Sequence, residues 1–314
     1  MPARASRNDF RYFLNTTEST ILVYHDSFEP ALDSITADCP TVRTIIRLGS
    51  AAPPLGVVDY AAMLAAVEPS PPGVQISGDD LAFIGFTSGT TGIPKGVLQT
   101  HATWLHYAVT AGLEIGDTRP GEVFAHGAPL THFSQTFLMP TFMRGGTNVV
   151  LPGLDVDTLL TAITTHHVTA TALVPTIVYL LLARDDIDNF DLSSLRTVIY
   201  AGSPMSPAQL DRALHVFGPV FVQAYAGSEP GYISCLRKED HVITTSADRK
   251  RLASAGRPMY HVDIGIRDDL GATVAPGEPG EIWVRQDGQM VGYLDSALDA
   301  ETIRDGCNQD RQVH

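Results

Sequence analysis

Basic residues are scarce in this sequence: 21 lysines and arginines stand against 35 aspartates and glutamates, a formal net charge of −14 over 314 residues. A chain this acidic lacks the basic face that nucleic acid or an anionic membrane surface demands, so neither is expected as its main partner. Any phosphate it binds must be held by a local device, not by its overall field. Cysteine is scarcer still. Cys39, Cys235 and Cys307 are widely spaced and show no metal-ligand pattern, and reduced thiols in a cytoplasmic protein are expected. Long apolar runs are missing too. The N-terminal MPARASRNDFRYF has no signal-peptide core. The longest apolar stretch, residues 168–183, is interrupted by Pro175 and dotted with threonines. It is too short and too polar to span a bilayer, and reads as a strand followed by a core helix. Internal repeats and low-complexity tracts are absent, as is the Gly-x-Ser-x-Gly elbow of α/β hydrolases.

What is present is globular: 44% hydrophobic and 18% charged residues, in a length sufficient for one large domain or two ordinary ones. Short apolar runs alternate with helical patterns. LAFIGF (81–86) predicts a buried strand and ATWLHYAVTAGL (102–113) a helix. TNVVLP (147–152), TATAL (169–173), RTVIYAG (196–202) and PVFVQAYA (219–226) read as strands. Between them VDTLLTAITTHH (156–167), PTIVYLLLA (175–183) and SPAQLDRALHVF (206–217) read as helices, the second opened by a proline whose missing amide costs nothing there. That order predicts a mostly parallel sheet covered by helices. Between residues 51 and 75, AAPPLG (51–56) and then EPSPPGVQ (68–75) read as surface loop. From about residue 257 the helices stop, and VDIGIRDDLGATVAPGEPGEIWVRQ reads as strand, turn, Pro/Gly-rich loop and strand, a small antiparallel subdomain.

The most informative segment is FTSGTTGIPKGV (86–97), expected between a buried strand and a helix, where ligands bind in open α/β sheets. It offers the hydroxyls of Thr87, Ser88, Thr90 and Thr91, the glycines Gly89, Gly92 and Gly96, and one cation, Lys95. Glycines bring backbone amides close to an anion, hydroxyls add donors, and the lysine adds charge. No Gly-Lys-Ser/Thr closes the segment, so it is not a Walker loop. Composition alone would serve a flexible surface loop equally well.

Residue order decides between them. Ser-Gly-Thr-Thr-Gly-x-Pro-Lys-Gly resembles the signature loop of the adenylate-forming superfamily: acyl- and aryl-CoA synthetases, peptide-synthetase adenylation domains and luciferases. Other segments carry the same resemblance, which runs from about residue 9 to residue 306. APLTHFSQ (128–135) resembles a Pro-Leu-x-His segment and implies that His132 lies near the reacting carboxylate. His101, His106, His126, His166 and His167 are expected to be structural. YAGSP (200–204) resembles the family's small-residue loop, placing Ala201, Gly202 and Ser203 beside adenine and the acyl chain. QAYAGSEPG (223–231) resembles Tyr-Gly-x-Thr-Glu. By that match Tyr225 lies along the adenine, with Ala226 and Gly227 in the same loop. Ser228 touches the α-phosphate and Glu229 helps hold Mg²⁺, other oxygens coming from substrate phosphates. Ala226 and Ser228 replace the commoner glycine and threonine. GEPGEIWVRQDGQMVGYLDSALDAET (277–302) resembles a structural stretch of the β-subdomain.

The resemblance implies an adenylate-forming N-terminal core, with an AMP-binding α/β part at 1–256 and a β-subdomain at 257–306. After ETIRDG the family continues with tryptophan and then Thr-Gly-Asp, whereas here CNQDRQVH follows. Residues 307–314 thus read as an aberrant tail, such as a frameshift leaves, on a chain cut short at both ends and without the C-terminal lid. The implied activity is ATP- and Mg²⁺-dependent conversion of a carboxylic acid, a fatty acid or related acyl substrate, to acyl-AMP. Coenzyme A is the second substrate in full-length relatives. A catalytically inactive remnant that binds nucleotide, and an amino-acid-activating adenylation domain, are the alternative expectations.

Overall fold

The protein, a computed structural model, is described over residues 5–32, 34–50, 52–88, 93–131 and 133–310. It divides into two compact units, Met1–Ile76 and Ser77–His314. In the first, the helix Arg7–Thr16 begins at Ser6, whose hydroxyl and backbone exchange hydrogen bonds with Asp9 in a capping box. Three parallel strands follow, β1 (Ile21–His25), β2 (Thr44–Leu48) and β3 (Val58–Asp59), in the order β1-β2-β3. Phe10, Leu14, Leu22 and Ile35 form their core. Arg47 is only 4% exposed and is neutralised by Asp26 and Glu29, at 3.6 and 2.9 Å. Between the two segments expected as surface loop lie β3 and the helix Tyr60–Ala65, which Asp59 caps.

The second unit opens with a hairpin of β4 (Leu81–Ser88) and β5 (Pro94–Thr100). Here the expected strand–loop–helix is corrected: the glycine-rich segment joins two antiparallel strands, and the helix His101–Thr110 starts only after the second, capped by Thr100. Gly96 explains the close pairing. A methyl there would lie 3.1 Å from Leu294 Cβ and 3.3 Å from Ile84 Cγ2.

The main sheet has seven strands: β6 (Val123–His126), β7 (Thr147–Val150), β8 (Ala170–Leu173), β9 (Thr197–Tyr200), β10 (Phe221–Gly227), β11 (Gly231–Leu236) and β12 (Arg257–Pro258). Their order is β12-β11-β10-β9-β8-β6-β7, parallel from β10 through to β7 and antiparallel at β11 and β12. Every residue of β8 and β9 is buried, as expected of parallel strands covered on both faces. Alternation sorts them between two cores. Val198, Tyr200 and Phe221 pack with Leu160, Val178 and Leu210 from the helices Val156–His166, Pro175–Leu182 and Pro207–Phe217. Ile199, Val222 and Ala224 face the other way, onto Tyr107, Ala111 and Phe137. These elements match the predicted alternation.

The antiparallel part follows. β13 (Asp263–Arg267) and β14 (Glu281–Arg285) pair as expected, with the Arg267 guanidinium 4.3 Å from the Trp283 ring centroid. β15 (Gly292–Tyr293) returns to β5. β16 (Ile303–Arg304) and β17 (Cys307–Asp310) complete a sheet of order β13-β14-β17-β16. Residues 307–310, expected as part of an aberrant tail, thus form a strand. It is a poorly matched one: Asn308 is fully buried, and neither its amide nitrogen nor its amide oxygen finds a partner among the described residues, a costly arrangement. The three cysteines are unpaired and buried. No helix among the described residues is long and apolar enough to cross a membrane.

Two predictions follow from this packing. Gly256 has φ +88°, and a methyl there would fall 2.1 Å from the Cys235 carbonyl oxygen, in the backbone of β11. Gly256→Ala is expected to lower stability by more than about 2 kcal/mol. Gly277→Ala, at φ +94° with open space around it, should cost about 1 kcal/mol. Urea unfolding of the two variants makes the comparison. The second concerns pH. Burial lowers His126 and His241 below the ordinary value of 6.5. Below pH 6.5 the unfolded chain therefore takes up protons that the folded chain refuses, and stability falls with pH. The urea midpoint should drop between pH 7 and 5.5, and His241→Gln should make that drop shallower.

Candidate active site

Of the phosphate-loop candidates, Thr87 and Ser88 end β4 and Lys95 lies near the start of β5. Thr87 lies opposite Lys95 in the antiparallel register, and Ser88 opposite Pro94. Gly89, Thr90, Thr91, Gly92 and His132 lie outside the described residues. Thr87 and Lys95 are half-buried. The Lys95 ammonium sits 5.3 Å from the centroid of the Tyr293 ring, over its face, an attraction between the cation and the ring quadrupole.

The remaining candidates lie at the C-terminal ends of two adjacent parallel strands, the edge at which open α/β sheets bind ligands. Ala201, Gly202 and Ser203 leave β9; Ala201 is buried, while Gly202 and Ser203 are exposed. Gly202 has φ +86°, which turns the chain at the strand end without a side-chain clash. Tyr225, Ala226 and Gly227 end β10, whose pairing to β11 shifts register between Tyr225 and Ala226. Because Gln223 pairs with Tyr200, the two loops emerge side by side. Ser228 is exposed and Glu229 half-buried in the turn between β10 and β11.

That turn is held carbonyl by carbonyl. The Tyr107 hydroxyl donates to the Gly227 carbonyl at 3.1 Å, and Gln99 Nε2 to that of Ser228 at 3.5 Å. The Met290 amide donates to the Glu229 carbonyl at 2.9 Å. Gln286 Nε2 donates to the carbonyls of Pro230 and Tyr232. The Glu229 side chain is fixed as well: its Oε1 accepts from the Tyr293 hydroxyl at 2.9 Å. Burial, then the neighbouring Glu229 carboxylate, raise Tyr293 well above the ordinary phenol range, so it stays protonated and donates. Tyr107 is raised for the same reasons.

Lys95 and Glu229 are therefore brought to one place, with Tyr293 between them, and Ser228 is tied to β5 through Gln99. The sequence reading misses Tyr293, Gln99, Tyr107 and Gln286. Of these only Tyr293 gave a faint signal, a tyrosine beside glycine in the stretch 277–302. His126, expected as structural, is buried between Ser134 Oγ at 2.8 Å and Asn148 Oδ1 at 2.7 Å. The donor set at the turn suits a hard cation. Glu229 forms no ion pair among the described residues, and its carboxylate neighbours the exposed Ser228. A single carboxylate fits Mg²⁺, which takes few protein ligands and completes its shell from phosphates and water.

Residues 2–294 match the AMP-binding enzyme family. Among curated proteins, the chain is 33% identical over 307 residues to the medium/long-chain-fatty-acid–CoA ligase FadD8 of Mycobacterium tuberculosis, covering 95% of this chain and 52% of that protein. It spans about half the length of the curated relatives it matches. Among solved structures, the amide bond synthetase McbA from Marinactinospora thermotolerans aligns with a TM-score of 0.87 at 29% identity, over 100% of this chain and 62% of its own. The N-terminal domain of FACL13 from Mycobacterium tuberculosis aligns with a TM-score of 0.86 at 26% identity, over 98% of this chain and 74% of its own. The signature loop, the paired strand-end loops and a match that runs nearly end to end agree: the chain belongs to the AMP-binding enzyme family.

Proposed function

We propose that this chain binds ATP and activates a carboxylic acid as its acyl-AMP, the first half of acyl-CoA ligase chemistry. A substrate carboxylate oxygen attacks the α-phosphorus, the bond to the β-phosphate bridging oxygen breaks, and pyrophosphate leaves with the electron pair. Catalysis of this kind rests on positioning and charge neutralisation, with no covalent enzyme nucleophile. The segment 87–96 cradles the phosphates, and Lys95 offsets the charge that grows on departing pyrophosphate. Tyr225 lies along the adenine, Ala201, Gly202 and Ser203 border adenine and acyl chain, Ser228 contacts the α-phosphate, and His132 stands near the carboxylate. Glu229 holds Mg²⁺, which supplies further neutralisation of the polyphosphate when bound.

The observation that carries this reading is that one residue, Tyr293, contacts both Lys95 and Glu229, so that a cation and a carboxylate are drawn together beside the end of β10. The similarity to a fatty-acid–CoA ligase supports a fatty-acyl or related substrate, with coenzyme A as the acceptor in the second half-reaction. Ala201 and Gly227 offer no group to pair with a substrate ammonium, which favours a simple acid over an amino acid.

Carboxylate-dependent ATP–pyrophosphate exchange tests the proposal. Exchange is expected with medium- or long-chain fatty acids above aromatic and amino acids; a folded chain that exchanges with no acid would instead be a nucleotide-binding remnant. Lys95→Met should lower exchange by about a hundredfold, the scale of losing one preorganised charge donor, with little change in folding measured by circular dichroism.

A further inference from the structure

The turn that carries Glu229 is braced from behind by backbone contacts, yet its carboxylate is aimed by one side chain alone among the described residues. We infer that Tyr293 is a positioning residue that holds Glu229 and Lys95 apart and oriented for the metal–polyphosphate, an inference that rests on the adenylation reading above.

The geometry of β15 makes this possible. Tyr293 pairs with Val97 and Gly292 with Leu98. The Leu294 amide donates to the Gly96 carbonyl at 2.7 Å and the Val291 amide to that of Leu98 at 3.1 Å. The Tyr293 amide itself donates to Asp299 Oδ1 at 2.7 Å. The backbone of Tyr293 is thus pinned to the strand that carries Lys95. A tyrosine side chain has few torsions, so its ring is a stiff spacer of set length. One face receives the Lys95 ammonium, and the hydroxyl at its far end reaches Glu229 and also bonds Thr302.

The electrostatic consequence is specific. A direct ion pair between Lys95 and Glu229 would occupy both groups, and no such pair forms among the described residues. Tyr293 gives each a different partner, the ring face for the cation and the hydroxyl for the carboxylate. Both then keep their charge directed at a ligand. Groups that hold a metal-binding carboxylate typically alter metal affinity by about 10- to 100-fold when removed.

The test is calorimetric titration of ATP into the protein at a series of Mg²⁺ concentrations, which reads binding without turnover. Tyr293→Phe keeps the ring beneath Lys95 and removes only the hydroxyl. It is expected to raise the Mg²⁺ concentration needed for half-maximal ATP binding by about tenfold, in a protein that circular dichroism shows to be still folded. The double variant Tyr293→Phe/Glu229→Gln should be no worse than Glu229→Gln alone, since both changes remove one interaction. A Tyr293→Phe protein with the wild-type Mg²⁺ requirement, or additive effects in the double variant, overturns the assignment of Tyr293 alone. A wild-type protein that binds no ATP at any Mg²⁺ concentration overturns the adenylation reading together with it.

Discussion

Everything proposed for this site depends on one short turn being immobile. Four consecutive carbonyls, from Gly227 to Pro230, each accept a hydrogen bond from a different residue: Tyr107, Gln99, Met290 and Gln286. Backbone carbonyls need partners, and in this partly exposed turn protein groups supply one to each of the four. The protein supplies them from the helix His101–Thr110, from β5 and from the loop before β15. In doing so it ties three separate elements to the loop that carries Ser228 and Glu229.

The main sheet sets the other side of the site. Strict alternation in β9 and β10 sends Tyr200 and Phe221 into one core, and Ile199 and Val222 into the other. The strands are therefore gripped on both faces, and their C-terminal ends cannot drift. Ala201 and Tyr225 emerge from neighbouring strands in fixed register. Small residues at 201–203 leave room beside them. The parallel pairing that makes the sheet stable is thus also what lines up the two loops.

The strand–helix alternation across 147–226 was legible because each element there carries its own periodicity. LLTAITTHH has helical spacing, and TVIY is a short apolar run bounded by polar residues. The hairpin was not legible. PKGVLQT begins with a proline, contains a glycine and ends with two buried polar residues, Gln99 and Thr100, so no period-two pattern announces β5. Its strand character comes from pairing with β4 and with β15, a two-residue strand far along the chain. Such a strand has no sequence signature of its own. β17 is a harder case: Cys-Asn-Gln-Asp has little strand propensity, and it is extended because it lies between β14 and β16.

Of the candidate site, the residue types and their order determined which groups are chemically suited to a nucleotide: the hydroxyls and glycines of 87–92, Lys95, the small residues at 201–203 and the acid at 229. Those depend on local identity, and local identity is what a sequence records. Only the tertiary structure decided that Lys95 and Glu229 do not meet each other, and that Tyr293 comes between them. That arrangement joins residues from three distant segments through a strand pairing and a single hydroxyl. Distances of this kind arise from packing and register, to which no one segment contributes enough pattern to be read alone.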